Sequence, residues 1–266
     1  MSIKTTSIIR YRNAQAVSLS DQVAREEPLE IRIEGRAVAV IMRTPNRSQD
    51  IELAIGFLCT EGVIEEYTDI YAIAHIVSPS NPQYNTIDVV LSSGVPAKQH
   101  HNADRQLFAS SSCGICGKAT QDRILQHFPP LTKQTDVSIK TICSLPTTLR
   151  EHQEIFQKTG GIHAAALFHL QGELLVLRED IGRHNAVDKV IGWSLKQDID
   201  CSNLILLVSG RVAFEITQKA LAAQIPVIGA IGAPSSLAVD FCSEAGIRLF
   251  GFIKENGCNE YTVHIP

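Results

Sequence analysis

Apolar and polar residues alternate over parts of the first third of the chain, which is the period of a strand with one buried face. Residues 29–44 alternate on both sides of Glu34-Gly35 and predict a β-hairpin with its turn at those two residues. Residues 70–77 and 85–92 predict two further strands. The N-terminal region is therefore expected to be rich in β-structure.

Helical spacing first appears between these strands. The apolar positions within residues 51–58 recur every three or four residues and predict a helix. Ser48 or Asp50 is the expected N-cap, and Gly62 follows the expected end.

The middle of the chain is less regular. Residues 93–112 are polar and predict a long exposed loop. Helices are predicted at residues 118–128 and 146–159, and Gly160-Gly161 closes the second of them.

Strands and helices alternate regularly from residue 173 onward. Strands are predicted at 173–177, 204–208, 227–231 and 248–253, and helices at 183–195, 212–223 and 236–244. The run at 204–208 is apolar throughout, as in a parallel strand that is buried on both faces. This alternation predicts β-α-β units on a parallel sheet.

The loops that follow the strands of such units fall on one edge of the sheet, where ligands bind. This edge is predicted to gather Ser209-Gly210-Arg211, residues 232–236 and residues 252–257. The first two loops open helices, and the free N–H groups of a helix N-terminus favour a phosphate. A diphosphate site is therefore predicted here, although Ser and Gly are also ordinary helix caps.

Composition is that of a soluble globular protein, since 44% of the 266 residues are hydrophobic and 20% are charged. A net charge of −4 gives no sign of a protein that coats nucleic acid, so any nucleotide contact should come from local Arg or Lys. No run approaches the ~18 apolar residues of a membrane span, and residues 1–21 lack the apolar segment of a signal peptide. A cytoplasmic protein with no membrane or nucleic-acid partner is expected.

Seven cysteines are spread along the chain, and Cys113 and Cys116 form the single Cys-x-x-Cys pair. An odd number in a chain of this length indicates reduced thiols rather than a disulfide framework. The cysteines at 59, 143, 201 and 242 are interpreted as small buried apolar residues.

A Cys-x-x-Cys pair can be half of a zinc site, a dithiol redox centre, or a nucleophile with an assisting thiol. Structural zinc needs four ligands, and neither a second pair nor a histidine spacing typical of zinc is present, so no metal site is expected. The neighbours Ser110-Ser111-Ser112, Gly114 and Gly117 suit a mobile, accessible thiol better than a rigid redox turn.

Persulfide chemistry requires an accessible thiolate that attacks the terminal sulfur of a donor and then presents that sulfur to an acceptor. If the pair opens the predicted helix at 118–128, the helix N-terminus and Lys118 both favour a thiolate at Cys113. Cys116 could then shuttle the sulfur or release it through a transient disulfide. The residues fit this chemistry without proving it.

Five motifs occur in order along the chain. They are Ser-Ser-Cys-Gly-Ile-Cys-Gly at 111–117, Gly-Gly-Ile-His-Ala-Ala-Ala at 160–166, Arg-Glu-Asp-Ile-Gly-Arg-His-Asn-Ala-Val-Asp-Lys at 178–189, Ser-Gly-Arg at 209–211 and Ile-Gly-Ala-Pro-Ser-Ser-Leu-Ala at 231–238. Together they closely resemble the formate dehydrogenase accessory sulfurtransferases, the FdhD family. The resemblance covers nearly the whole chain from about Pro28 onward.

The resemblance implies a sulfurtransferase that carries a persulfide on Cys113, with Cys116 assisting. The donor would be a cysteine desulfurase, the acceptor substrate the bis-guanine-dinucleotide molybdenum cofactor, and the client formate dehydrogenase. No cofactor would be bound permanently, and the protein would be a homodimer. A non-catalytic chaperone of the molybdenum cofactor is the main alternative, and a zinc-binding module is another.

The same resemblance implies an α/β fold similar to that of cytidine deaminase, with a mixed sheet flanked by helices. Residues 1–105 would form a smaller β-rich part and residues 106–266 the cofactor-binding core that carries the Cys-x-x-Cys loop, unless both form a single integrated domain. The ligand set of the zinc deaminases is absent, because His163 is followed by Ala164-Ala165 rather than by x-Glu. His163 is interpreted as a half-buried structural residue.

The family likeness implies that the cofactor's nucleotide contacts Phe252-Ile253-Lys254-Glu255-Asn256-Gly257. The family often has more Arg and Gly there, whereas this chain has Lys254-Glu255-Asn256. Ser209 and Arg211 belong to the same predicted edge.

A polar segment between the strand at 173–177 and the next helix could join that edge. Arg183 would bind phosphate oxygens, and His184 or Asn185 would hydrogen-bond a base or ribose. In the alternative interpretation, Asp180 caps the helix and Arg183 pairs with a neighbouring carboxylate, that of Glu179 or Asp188.

Overall fold

The computed structural model describes residues 2–77, 84–93, 95, 124–125, 127–132 and 135–262. The strands are β1 (Ile3–Arg12), β2 (Gln15–Ala24), β3 (Glu27–Ile33), β4 (Arg36–Arg43), β5 (Ile70–His75), β6 (Thr86–Leu91), β7 (His163–His169), β8 (Leu174–Asp180), β9 (Leu204–Val208), β10 (Val227–Ala230), β11 (Arg248–Lys254) and β12 (Gly257–Glu260). The helices are α1 (Arg47–Thr60), α2 (Ile139–Glu151), α3 (Glu154–Thr159), α4 (Arg183–Lys196), α5 (Phe214–Ala222) and α6 (Ser236–Ala245).

The strands of the described residues form three sheets. β1 and β2 are a separate hairpin, four strands follow the order β4-β3-β6-β5, and six follow the order β12-β11-β10-β9-β7-β8. In the six-stranded sheet β9, β10 and β11 are parallel, as predicted, whereas β7, β8 and β12 pair antiparallel to their neighbours. The predicted α/β fold with a mixed sheet flanked by helices is confirmed.

The predicted β3–β4 hairpin and the helix after it are both present, but the N-cap of α1 is neither Ser48 nor Asp50. The side chain of Asn46 accepts the capping hydrogen bond from the backbone N–H of Gln49. Asp50 turns inward instead, because the buried guanidinium of Arg43 donates to both of its carboxylate oxygens at 2.9 and 3.1 Å.

The β1–β2 hairpin was not expected from the sequence. Its ten residue pairs run from Ile3↔Ala24 to Arg12↔Gln15, and no residue of either strand is buried. Because neither face of the hairpin is covered, no face has to be apolar, and the alternation of apolar and polar residues that identifies a strand is missing. β7 was also missed, since its buried run is largely alanine, which has little preference for strands.

The single helix predicted at 146–159 is wrong in its bounds. Helix α2 begins seven residues earlier, where the hydroxyl of Ser138 accepts from the N–H of Thr141 at 3.0 Å, and it continues through Pro146. A second helix, α3, begins at Glu154, and both oxygens of Glu179 accept from the N–H groups of its first turn at 2.8 Å. A carboxylate from strand β8 thus starts a new helix where the sequence suggested continuation.

Helices α1 and α4 cross at very short range in the centre of the molecule. A Cβ atom on Gly56 would overlap the carbonyl of Asp188, and one on Gly192 would overlap the carbonyl of Glu52. One cluster of buried apolar residues includes members on β3, on α1, on α4 and on β9 and β10. Residues on both sides of the predicted boundary at 105/106 therefore share one core.

No helix in the described ranges is long and apolar enough to cross a membrane.

The predicted loop at 93–112 and the predicted helix at 118–128 lie almost wholly outside the described residues.

Candidate functional site

One edge of the six-stranded sheet gathers the polar ends of five strands. β9, β10 and β11 are parallel, so their C-terminal ends lie together on this edge. β7 runs antiparallel to β9, and β8 antiparallel to β7, so the start of β7 and the end of β8 lie there too. We call this the ligand edge: His163, residues 180–184, residues 209–211, residues 232–235 and residues 252–254.

Backbone contacts join the loops of the ligand edge directly. The N–H of Phe252 donates to the carbonyl of Gly232 at 3.0 Å, and the N–H of Gly232 donates to the carbonyl of Gly210 at 3.2 Å. A Cβ atom on Gly232 would stand 2.7 Å from that carbonyl oxygen, so a side chain at this position would push the loops apart. The three predicted loops are therefore neighbours, with glycine at the point of closest approach.

Serine side chains on the edge have local partners. The hydroxyl oxygen of Ser209 accepts from the backbone N–H of Ala164 at 2.9 Å, which holds the end of β9 against β7. The hydroxyl of Ser235 caps α6 by accepting from the N–H of Ala238 at 3.2 Å. Arg211 is exposed. Ser209 thus fastens the edge itself, and Arg211 is the member of that loop with a charge open to solvent.

Helices α4 and α5 both begin on or beside this edge without a side-chain cap. The N-cap residues are Gly182 and Ala213, neither of which makes a capping hydrogen bond. The N–H groups in a first turn have no partner within their own helix. Two uncapped helix starts near one another provide donors for an anion.

Arg183 and His184, at the start of α4, bring further polar atoms to the edge. Both residues are half-buried, and within the described part of the chain neither Nε of Arg183 nor Nε2 of His184 has a hydrogen-bond partner. The carboxylate of Glu215 lies 4.0 Å from Nε2 of His184, beyond hydrogen-bond range. Buried nitrogens without a partner are rare in folded proteins, so a ligand is their expected partner.

Both histidines of the edge are held in the neutral form. Burial, and next the charge of Arg183, lower the pKa of His184 to about 4, against the opposing effect of Glu215. The same two causes lower the pKa of His163, against the opposing effect of Asp180. At neutral pH this corner therefore offers one guanidinium and two neutral imidazoles.

His163 is closer to the edge than the sequence suggested. A Cβ atom on Gly210 would lie 3.3 Å from Nδ1 of His163, so this imidazole is beside the loop after β9. His163 was predicted to be a half-buried structural residue; it is half-buried, and it begins strand β7, which the sequence did not predict. Its antiparallel pairing with β9 is what brings it here. The sequence did not predict that Glu215 lies near His184, because the two residues are 31 positions apart in the chain and meet only in the fold.

The alternative pairings of Arg183 are not formed. Glu179 accepts from backbone N–H groups of α3, and Asp188 accepts from Lys219 and from Thr60, both at 2.9 Å. Arg183 is thus left without either carboxylate.

Both side-chain N–H groups of Asn185 are used within the protein. Its amide nitrogen donates to the carbonyl of Met42 at 2.7 Å and to Asp180 at 2.9 Å. The side chain is buried. Of the two expected base or ribose contacts, His184 is the one whose Nε2 has no hydrogen-bond partner in the described structure.

The segment from 252 to 257 is a hairpin rather than a tail after the last strand. β11 continues to Lys254 and pairs there with Gly257 at the start of β12, so Glu255 and Asn256 form the turn. Ile253 is buried in the core, which leaves only its backbone for a ligand. Glu255 accepts from the hydroxyl of Thr147 at 3.2 Å. Lys254 and Asn256 are exposed.

Phe252 has an unusual conformation for an aromatic residue. Its φ is +53°, in the left-handed region that costs energy for residues other than glycine. Its side chain is 47% exposed although it lies beside Gly232. An exposed aromatic ring next to helix N-termini and a guanidinium that can bind a phosphate is suited to stacking on a nucleobase.

Cys113 and Cys116 lie outside the described residues. The four cysteines predicted to be buried, Cys59, Cys143, Cys201 and Cys242, are buried. Burial raises the pKa of Cys59 to about 12 and that of Cys201 to about 11, and it also raises the pKa of Cys242. Burial is the main cause that raises the pKa of the half-buried Cys258 to about 11. Cys59, Cys201, Cys242 and Cys258 are therefore protonated at neutral pH and are poor nucleophiles.

No group of three His, Cys, Asp or Glu side chains that could hold a metal ion is found among the residues that the structure describes.

Comparison with known proteins supports the resemblance found in the motifs. A crystal structure named for a formate dehydrogenase accessory protein from Desulfotalea psychrophila shares the fold, with a TM-score of 0.75, 22% identity and coverage of 99% of this chain and 98% of that one. The Sulfur carrier protein FdhD of Mycobacterium tuberculosis is 44% identical over 264 residues, which is 96% of this chain and 95% of that protein. The Sulfur carrier protein FdhD of Sulfurisphaera tokodaii is 43% identical over 98% of both chains.

A sequence model of the FdhD/NarQ family matches residues 24–265, which leaves out nearly all of the β1–β2 hairpin. The match includes all five motifs and the whole ligand edge. This chain belongs to the FdhD/NarQ family.

Proposed function

We propose that this protein is a sulfur carrier that takes sulfur from a cysteine desulfurase as a persulfide on Cys113 and delivers it to the bis-guanine-dinucleotide molybdenum cofactor. Formate dehydrogenase is the client that the sulfurated cofactor activates. The relatives are named sulfur carrier proteins, which supports the general role of a sulfur carrier. A homodimer in the cytoplasm is part of the same proposal.

The state of the other thiols is the observation that carries the assignment to Cys113. Cys59, Cys143, Cys201 and Cys242 are buried, and the raised pKa values of Cys59, Cys201 and Cys242 keep these three protonated. Cys258 is half-buried, with its pKa also raised to about 11. Sulfur transfer needs a thiolate. Cys113 and Cys116 are the remaining candidates for the sulfur-carrying thiolate, and the small Ser and Gly residues around them suit an accessible thiol.

The two transfer steps balance in atoms and electrons. In loading, the Cys113 thiolate attacks the terminal sulfur of the donor persulfide, a new S–S bond forms, and the donor cysteine leaves as a thiolate. In delivery, the Cys116 thiolate attacks Sγ of Cys113 and expels the outer sulfur as hydrosulfide for the metal centre. The two thiols supply the two electrons and become a disulfide, which a cellular thiol reductant must reduce before the next cycle.

The ligand edge supports the second half of the proposal, the binding of the cofactor's nucleotide groups. Arg183 has a fixed positive charge and an unpaired buried Nε for a diphosphate. The uncapped starts of α4 and α5 add backbone donors. Phe252 offers a ring for the guanine, and Lys254 and Arg211 are exposed cations on the same edge.

Sulfur loading on Cys113 is tested by incubating the purified protein with a cysteine desulfurase and cysteine. Intact mass spectrometry should show one added sulfur atom on the wild type, and Cys113→Ala should not acquire it. Cys258→Ala is the matched control, because it removes a half-buried thiol whose pKa is raised, and it should load normally. An adduct that persists unchanged in Cys113→Ala would show that the carrier is another residue.

Nucleotide binding at the ligand edge is tested with guanosine diphosphate and isothermal titration calorimetry. Arg183→Ala should weaken binding by about tenfold or more, since a charge-assisted hydrogen bond is worth about 1.5–3 kcal/mol. Lys196→Ala is the control, because Lys196 is an exposed cation at the opposite end of α4. Equal losses in both variants would indicate a general charge effect and no site at Arg183.

A chaperone that docks the cofactor without transferring sulfur remains the second candidate, because the ligand edge is built without either paired cysteine. The Cys113→Ala/Cys116→Ala double variant separates the two functions. A sulfur carrier loses its ability to support formate dehydrogenase in that variant, whereas a chaperone keeps it.

A further inference from the structure

A buried carboxylate lies directly beneath the Arg183–His184 corner of the ligand edge. Asp180 has no exposed surface. It accepts from the N–H of Gly182 and from the amide of Asn185, both at 2.9 Å, and from the N–H of Thr44 at 3.1 Å. Nζ of Lys189, which is also fully buried, lies 2.6 Å from the same carboxylate.

The same segment is held from the other side by the end of β4. The hydroxyl of Thr44 accepts from the N–H of Ile181 at 3.1 Å, and Asn185 donates to the carbonyl of Met42 at 2.7 Å. Lys189 donates to the carbonyl of Glu179 at 3.1 Å. The carbonyl of Glu179 and the N–H groups of Ile181 and Gly182 are therefore all hydrogen-bonded.

Arg183 and His184 have no comparable support of their own. Nε of Arg183 and Nε2 of His184 are without hydrogen-bond partners in the described structure. Their direction is consequently set by the backbone just before them, and that backbone is set by Asp180 and Thr44.

A buried ion pair gives weak grounds for stability, because apolar residues of the same volume often stabilise as well or better. The Asp180–Lys189 pair is fully desolvated, and its carboxylate accepts three further hydrogen bonds, two from the loop and first turn at the start of α4 and one from Thr44. Precise placement of that loop is a better reason for its presence.

We propose that Asp180 and Thr44 are positioning residues that aim Arg183 and His184 at the diphosphate of a guanine nucleotide. This inference rests on the proposed function of the ligand edge. Thr44 lies in the N-terminal region, 136 residues before Asp180, so the nucleotide site depends on a segment that is distant in the sequence.

Guanosine diphosphate affinity of Asp180→Asn and Thr44→Val is the first measurement. Both variants should bind about five- to tenfold more weakly than the wild type, which corresponds to the loss of one or two hydrogen bonds. Thr44→Val keeps the shape of the side chain and removes the acceptor for the N–H of Ile181. It decides the question if Asp180→Asn does not fold.

Glu52→Gln is the matched control. Glu52 forms a two-point ion pair with Arg178 at 2.6 and 2.8 Å, two residues before Asp180 on the same strand, and neither residue belongs to the ligand edge. The variant should lose stability but keep wild-type affinity for guanosine diphosphate.

The protonation of His184 is a readout that a general loss of stability would not move. Burial is the main cause that lowers its pKa to about 4. If Asp180→Asn or Thr44→Val releases the loop, the pKa measured by NMR titration of the imidazole should rise toward its ordinary value of 6.5, and in Glu52→Gln it should not.

The possible results separate this inference from the proposed function. If Arg183→Ala binds guanosine diphosphate weakly while Asp180→Asn and Thr44→Val bind like the wild type, the positioning role is wrong and the nucleotide site stands. If Arg183→Ala itself binds like the wild type, the site is wrong and the positioning role with it.

Discussion

Single residues of the ligand edge owe their properties to burial more than to their chemical type. His184 and His152 are both histidines, yet His184 is half-buried beside Arg183, and His152 is exposed. Asn185 and Asn256 are both amides. The side chain of Asn185 donates hydrogen bonds to Met42 and Asp180, whereas that of Asn256 is exposed at a turn. The residue type alone is therefore not enough, because burial and hydrogen-bond partners decide which side chains can contact a ligand.

The lowered pKa of His184 predicts a pH dependence of stability with a definite sign. The unfolded chain has the ordinary value of 6.5 and the folded protein about 4, so the unfolded state takes up the proton first as pH falls. The free energy of unfolding should therefore decrease as pH drops through this window, and His184→Gln should make the decrease smaller. Urea denaturation at several pH values measures it.

His152→Gln is the control for that experiment, because it removes an exposed histidine. It should show the pH dependence of the wild type. A wild-type curve and a His184→Gln curve that run parallel between about pH 6.5 and pH 4 would contradict the assignment.

Secondary-structure elements were predictable where one physical pattern dominated. The buried strand β9 was predicted with its observed bounds because its five residues are all apolar, and α4 because its apolar spacing is helical. β1 and β2 were not, since both of their faces are exposed. Helix α2 was misplaced because its start depends on Ser138, which looked no different from other serines upstream of Pro146.

The distance between α1 and α4 predicts a large effect of one methyl group. Gly192→Ala would place a Cβ atom on the carbonyl of Glu52 in the facing helix, where the packing leaves no room. We expect a loss of roughly 3 kcal/mol or more in the free energy of unfolding, because overpacking of a core costs about 1–3 kcal/mol and here the obstacle is backbone. Chemical denaturation provides the measurement.

Gly161→Ala is the comparison at this scale. A Cβ atom at Gly161 would meet only the carbonyl of Thr159, at 3.8 Å, so the change should be within about 0.5 kcal/mol. A Gly192→Ala variant as stable as Gly161→Ala would mean that α1 and α4 can move apart freely.

At the scale of the whole molecule, the ligand edge depends on both ends of the chain. Met42 in β4 and Thr44 just after it form hydrogen bonds with Asn185 and Asp180, and β11 supplies Phe252 next to Gly232. The rule that strand ends share one edge of a parallel sheet predicted the gathering of the loops after β9, β10 and β11. It could not predict His163, which arrives through an antiparallel strand.

The amino-acid sequence by itself determined the pattern of apolar residues, the five family motifs and the single Cys-x-x-Cys pair. These are local properties, readable from spacing and residue type. The tertiary structure alone decided that Asp180 is paired with Lys189, that Ile253 faces the core and that Nε of Arg183 has no hydrogen-bond partner among the described residues. Desolvation and hydrogen bonding depend on which atoms meet in space, and Asp180 meets Thr44 across 136 residues of chain.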